Sequence, residues 1–475
     1  MVDDWYERLF LSEVIGWHKD KGISLDPLVR GMLAYKLGDN FSVLRAGEWL
    51  NRPEIREHYE LPSFNVRTLY RAVEVVGRER ERIVRELQDR VLKLLRLPST
   101  DVLMDWTSIV YYGDLASLAR YGYSRDHRPD KKQVTLGVAQ LAPPINVPIG
   151  LTVEAGNAND QEHFRRTYDQ VRSVLNENSL VVFDKGANDK TNLDGIVLDS
   201  NDYLTSKKLN MSDDKVFASF DANVWERIDD GVYASKRVFP SRVNYYFFSE
   251  KLKDEHLASR RRKAERLLAE ALSIQDSLDG GRKLPKRFRI NNPLVDVRYD
   301  YQTRLASMDE EAALRLLFDS VVDGREGCFC LTSSRNMSSA EALRVYRSKD
   351  AIEKLFHSLK SEIEVKPLRV WSQDAVYGVL LLGFIAQLFI SLTRFFVEPV
   401  KTVSTKFIAS SLQKLTVTVV SVRSRSKRRI YSNFDALNRA ILSGFMAETD
   451  GFRLGTRSRE RFWTCGNELS NSKTQ

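Results

Sequence analysis

The eighteen residues AVYGVLLLGFIAQLFISL, positions 375–392, carry no charge, and they restrict the fold more than any other stretch. A helix of this composition has no polar face, so it must be covered on every side, either by lipid or by protein. Eighteen residues is short for a bilayer crossing; Gln387 and Ser391 interrupt the run, and Arg394 follows at once. No second segment of the kind occurs, so the stretch is read as a buried core helix and no membrane partner is expected. Burying such a helix takes a sizeable core, and 475 residues are enough for two or three domains.

Around this helix the periodicity changes along the chain. Residues 1–97 carry apolar side chains at spacings of three and four, which predicts helices. The last helical stretch, SFNVRTLYRAVEVVGRERERIVRELQDRVLKLL, has Ser63 as a candidate cap and Arg67, Arg71, Arg78 and Arg80 as positive charge. A small DNA-binding unit and a plain helical docking domain both fit this segment. From residue 98 strands take over in DVLMDWTSIVYY, KKQVTLGVAQLA and NVPIGLTVEAGN. A helix in DQEHFRRTYDQVRSVLNEN follows, with Asn159 or Asp160 as its cap, then a strand in SLVVFDKGAND, a helix in KTNLDGIVLDS and a strand in DYLTSKK. Three strands, then strands alternating with helices, is the order of a ribonuclease H-like α/β core with a mixed sheet. Its first part is placed at 98–206 and an interruption at 207–334. The second part is placed at 335–398, followed by a basic region at 399–475.

The segment VYRSKDAIEKLFHSLKSEIEVKPLRVW, residues 345–371, reads as one helix. Counting about 100° per residue from Tyr346 puts Lys349, Glu353 and Lys360 with it inside a band of roughly 60°. Ile352, Leu355, Leu359 and Ile363 form an apolar stripe beside that band, so the helix is expected to dock by its apolar face and display a polar row. Two further carboxylates belong to this picture. Asp105 lies within the first strand, where an unpaired charge is costly, and Asp184 ends the fourth strand at a tight turn. First and fourth strands are neighbours in this fold, so the two aspartates should meet, with Glu353 arriving on the docked helix. Three hard oxygen donors of this kind suit Mg²⁺ and the in-line displacement of a phosphodiester. Lys360, Tyr346 and Lys349 would then position phosphates beside the metal. Glu364 is the rival third ligand, limited by Pro367 just beyond it.

Charge and composition agree with a polyanionic partner. Lys plus Arg number 73 against 64 Asp plus Glu, a net charge of +9. Basic runs stand at 260–266, 282–289 and 423–429. Cys328, Cys330 and Cys465 make no metal or disulfide framework, and the opening residues are acidic and unlike a signal peptide. A reduced cytoplasm is the expected setting. No phosphate loop, dinucleotide fingerprint or HExxH motif is present.

Tyr346, Lys349, Glu353 and Lys360 fill a Y-x2-(R/K)-x3-E-x6-K pattern that resembles the signature of bacterial and archaeal insertion-sequence transposases of the DDE type. Further blocks in the family's order are GYSRDHRPDKKQVTLG, PIGLTVEAGNANDQEHF and VVFDKGANDKTNL, so the resemblance spans about residues 98–395. It implies a catalytic and metal-binding triad of Asp105, Asp184 and Glu353, with Mg²⁺ as cofactor and Mn²⁺ as substitute, and a largely β insertion, from which this chain departs by a basic helix read at about 253–277. It also implies cut-and-paste transposition, with hairpin ends before strand transfer, on terminal inverted repeats and target DNA. A homodimer in the DNA complex and a cytoplasmic, nucleoid-associated location in a prokaryote follow from the same resemblance. Lys349 departs from the more usual arginine, keeping the charge and losing the bidentate fork. His127 and Arg128 either contact DNA or belong to a charged hairpin loop, and Trp371 either stacks on a base or packs. Two other functions stay open: a non-catalytic DNA-binding derivative of a transposase, and a standalone ribonuclease H-like nuclease.

Overall fold

The uncharged run forms one helix, Gln373–Phe396, in which every residue from Ala375 to Thr393 is buried. It is long and apolar enough to cross a membrane, yet protein covers it throughout. The structure, a computed structural model, describes residues 1–16, 22–38, 42–286, 290–296, 302–304, 308–422 and 426–449. It divides into two units, Met1–Asn201 with Ser348–Gln475, and Asp202–Arg347.

The first unit begins with α1 (Val2–Arg8), α2 (Leu11–Gly16), α3 (Leu25–Gly38), α4 (Val43–Leu50), α5 (Pro53–Tyr59), α6 (Val66–Arg78) and α7 (Arg80–Leu95). The long final stretch breaks at Glu79, which closes α6 and opens α7. Asn65 rather than Ser63 caps α6: its Oδ1 accepts from the Arg67 amide at 2.9 Å. One residue type able to accept that bond served as well as another on paper, and Asn65 stands at the position where the turn starts.

Strands β1 (Val102–Val110), β2 (Gln133–Leu141), β3 (Pro148–Ala155) and β4 (Leu180–Phe183) pair in the order β3-β2-β1-β4. The first three make an antiparallel meander, and β4 joins β1 in parallel. Helix α8 (Asp160–Val171), capped by Asn159, covers one face of this sheet. Its Phe164 ring sits 4.5 Å from Phe183 and 5.7 Å from Trp106, centroid to centroid. The buried His163 meets the Thr152 hydroxyl at 2.9 Å on the same face, and burial pulls its pKa down to about 3, so it is neutral. Helix α9 (Lys190–Leu198) follows.

The second unit holds β5 (Asp202–Lys207), α10 (Met211–Phe217), β6 (Glu226–Asp229), β7 (Val232–Phe239), β8 (Arg242–Ser249) and α11 (Glu250–Asp279). It continues through the short β9 (Val295–Asp296) and β10 (Gln302–Thr303), α12 (Glu310–Val321), β11 (Cys328–Ser333) and α13 (Ser339–Arg347). Its sheet runs β5-β11-β8-β7-β6. A separate apolar cluster joins α11 to α12 through Ala264, Leu268, Ala271, Ile274, Ala313 and Leu317. The stretch is mixed rather than largely β: the basic helix read at about 253–277 is its longest element, the 30-residue α11. Cys328 and Cys330 are free thiols two residues apart on β11.

The chain returns to the first unit with α14 (Asp350–His357), α15 (Gln373–Phe396), α16 (Thr405–Gln413), β12 (Thr416–Val422), β13 (Ser426–Ser432) and α17 (Ala436–Thr449). Residues 423–425 of the basic run, and Cys465, lie outside the described residues. Helix α15 organises this unit. The Trp5 indole donates to Thr393 Oγ1 at 2.8 Å, and α6 crosses so closely that a Cβ on Gly378 would lie 2.0 Å from the Val73 carbonyl oxygen.

Candidate active site

Register alone brings the two aspartates together. Leu103 on β1 pairs with Val182 on β4, so Asp105 and Asp184, each two residues further on, occupy matching positions on one face. Neighbouring strands lie about 4.8 Å apart. Trp106 and Phe183, the alternate residues, pack their rings on α8, which directs both carboxylates away from that helix. Burial raises the pKa of Asp105, and the neighbouring Asp184 charge adds to the rise. The Lys349 amine, the Trp106 amide (2.8 Å to Asp105 Oδ1) and Arg125 oppose it. Asp105 is half-buried and Asp184 exposed; a cation between them would relieve their repulsion, and Lys349 and Arg125 already offset part of it at Asp105.

The polar row of the 345–371 segment is not continuous. Helix α13 stops at Arg347, α14 starts at Asp350, and Ser358–Glu362 forms a π-helical turn. In that turn the Ile363 amide donates to the Ser358 carbonyl at 2.8 Å. Each of these interruptions breaks the constant step per residue that placed four side chains on one line. Tyr346 falls in the other unit, half-buried on α13. Lys349 is buried at the start of α14, where its charge reaches Asp105. Glu353 is exposed in the first turn of α14, the helix that lies against β1. Among the described residues, no three carboxylate, His or Cys side chains form a preformed metal cage. Asp105 and Asp184 fit a divalent cation by donor type and mutual repulsion; Glu353 does not close on them in this conformation.

Lys360 takes a different position from the expected one. It is buried, and its amine is 3.0 Å from Asp126 Oδ1, which Lys366 also approaches at 3.4 Å. Burial lowers the Lys360 pKa, and Asp126 counters the shift. This residue therefore ties the β1–β2 loop to the π turn. Arg128 forks onto Asp130 with two bonds of 2.8 Å, while His127 is exposed with a left-handed backbone (φ 55°). Glu364, the rival ligand, has φ 57° and sits 3.4 Å from the Lys406 amine. Trp371 is 63 % exposed and packs little.

Two residues not singled out from the sequence belong to this region, Arg125 and Asp126, both inside the block GYSRDHRPDKKQVTLG. Nothing local marks them: Asp126 meets Lys360 from 234 positions away.

The mixed α/β core thus sets two aspartates just beyond the last paired residues of adjacent parallel strands, with Lys349 and Arg125 near them. The chain belongs to the transposase DDE-domain family, whose model matches residues 96–389. No curated protein matches it. A similar solved structure is the cryo-EM structure of the piggyBac transposase synaptic complex with hairpin DNA. It is 9 % identical, with a TM-score of 0.42, and the match covers 87 % of this chain and 76 % of that one.

Proposed function

We propose that this protein is a metal-dependent cut-and-paste transposase that cleaves DNA at the ends of an element and joins those ends to target DNA. The observation carrying the proposal is that Asp105 and Asp184 each stand two residues beyond the last paired residues, Leu103 and Val182, of neighbouring strands inside a family-matched core. Asp105 and Asp184 would hold Mg²⁺, with Mn²⁺ as substitute, and Glu353 would complete the set from α14. When bound, the cation activates the attacking oxygen and stabilises the leaving one. Lys349, whose charge reaches Asp105, would meet a phosphate there. Lys360 acts on the loop through Asp126, and Tyr346, His127 and Arg128 extend the DNA contacts.

The arginine-rich helices of residues 1–97 would grip the element ends, and the basic region after 399 would add sequence-independent phosphate contacts. A homodimer on two inverted repeats, hairpin ends and a prokaryotic cytoplasmic setting complete the reading. The test is excision of a plasmid segment flanked by the gene's own genomic borders in Mg²⁺. The native protein should release it, whereas Asp105→Asn and Glu353→Gln should bind the borders and cut at least about 10³-fold less. If native protein and variants all bind the borders and none cuts in Mg²⁺ or Mn²⁺, the chain is a DNA-binding derivative of a transposase. Cutting without joining would mark a nuclease.

A further inference from the structure

Strand β4 stops at Phe183, while β1 runs on to Val110. Pairing between them ends at Leu103 with Val182, and the next neighbour on that side of β1 is Leu368, whose amide donates to the Val110 carbonyl at 3.1 Å. Between the two, β1 borders a notch at the carboxyl end of β4. Crevices in this position, beyond strand ends in an α/β sheet, are where such folds take ligands. Beside the notch, on the α8 face of β1 and β2, lies a groove of about 410 Å³ bordered by Trp106, Ser108, Thr135, Tyr123, Arg125, Asn157, Asp160 and Gly186. Trp106 is the neighbour of Asp105, and Gly186 follows Asp184 by two residues. The ring of Trp106 turns towards α8 and the aspartates turn away, so groove and carboxylates open on the two sides of one notch.

The groove is firmly built. The Gln133 side-chain amide donates to the Tyr123 carbonyl at 2.8 Å and to the Gly156 carbonyl at 3.0 Å. Behind them Gly122 and Gly156 cross so tightly that a Cβ on Gly122 would lie 2.0 Å from the Gly156 oxygen. The Tyr123 backbone is thereby fixed, yet its ring is 86 % exposed at the groove's edge. Arg125 is anchored by its amide, which donates to Ser108 Oγ at 2.9 Å. Its guanidinium makes no hydrogen bond among the described residues and is ion-paired at 3.6 Å with Asp160 of the same groove, leaving most of its N–H donors open. Asn157, exposed at the rim, likewise keeps its side-chain amide free of protein partners among the described residues. A cation with open donors, a held-out aromatic ring and a free amide are the elements that recognise a phosphate, a base face and a base edge.

We infer that this groove binds the nucleotide next to the scissile phosphate, with Arg125 on its phosphate, the Tyr123 ring against its base or sugar, and Asn157 at the base edge. The inference rests on the transposase reading and names a subsite for it. The strand crosses the notch, placing one phosphate at the aspartates and the adjoining nucleotide in the groove. Base preference next to the cut would then arise here.

The test uses full-length protein and border DNA carrying 5-iododeoxyuridine in turn at each position flanking the cut. Complexes are irradiated in EDTA, and the linked peptide is identified by mass spectrometry. The peptide containing Tyr123 should be labelled from a position adjoining the cut. In parallel, Tyr123→Ala should cut at least about 10-fold more slowly with border binding held within about twofold, and Tyr123→Phe should cut like the native protein. Because the ring is exposed, the alanine variant is expected to fold normally, and its melting curve checks this. Native cutting with an unaffected Tyr123→Ala and labels only elsewhere overturns the subsite and leaves the transposase reading standing. Absence of cutting by the native protein in Mg²⁺ and Mn²⁺ overturns both.

Discussion

Lys36 should be a titratable weak point of the first unit, and its effect can be worked through. The side chain is 3 % exposed on α3, and its Cε lies 3.5 Å from where a Cβ on Gly383 of α15 would be. Burial pulls its pKa down from 10.5 to about 7, and the Glu364 charge only partly counters this. The unfolded chain therefore binds a proton at pH 7–10.5 that the folded chain releases, and that linkage favours unfolding. The penalty is complete below pH 7, about 5 kcal/mol at 1.36 kcal/mol per pH unit, and it fades as pH rises to 10.5. Lys36→Met keeps the length of the side chain and removes the amine. In urea unfolding it should exceed the native protein in stability by about 5 kcal/mol at pH 6 and by only about 1.4 kcal/mol at pH 9.5. Comparing the two proteins at each pH cancels all other titrating groups. An advantage of equal size at both pH values would refute a buried amine titrating near neutrality.

Gly378→Ala drives a methyl group into the Val73 carbonyl oxygen, 2.0 Å away, and backbone cannot rotate aside. It should cost about 3 kcal/mol, read as a lower urea midpoint, whereas Gly195→Ala, with open space around it, should be neutral or better. Asp126→Ala leaves the buried Lys360 amine without its 3.0 Å partner and should destabilise by about 3 kcal/mol. Adding Lys360→Met to that variant should recover more than half of the loss, and limited proteolysis should show the β1–β2 loop opening in the single variant alone.

The parts of this fold legible in the sequence were those fixed by local pattern. Alternating apolar residues marked β1 to β3, and the uncharged run marked α15 with its need for cover. The match of Asp105 with Asp184 was legible because a parallel pair with period two leaves little choice once β1 and β4 are neighbours. The 345–371 segment shows where local reading fails. Its apolar spacing counts as one helix, yet a break at Ser348–Lys349 and the π turn at Ser358–Glu362 reset the angle twice. Tertiary contacts decide such breaks, and Lys360 is buried against Asp126 for a reason that lies 234 residues upstream. The cap at Asn65 was missed because Ser63 is an equally good acceptor and only the backbone turn distinguishes them.

The crossing of α6 with α15 sets a schedule for synthesis. Arg78, the last residue of α6, precedes Gln373, the first of α15, by 295 positions. At about 5–20 residues per second, a ribosome needs roughly 15 to 60 seconds to cover that distance. Throughout that interval Val73, Val76 and the other apolar residues of α6 have been made and the helix that buries them has not. The nascent N-terminal half must therefore wait with apolar surface uncovered, a period in which chaperones have a natural substrate. Truncation anywhere before α15 should yield an aggregating fragment rather than a smaller folded protein.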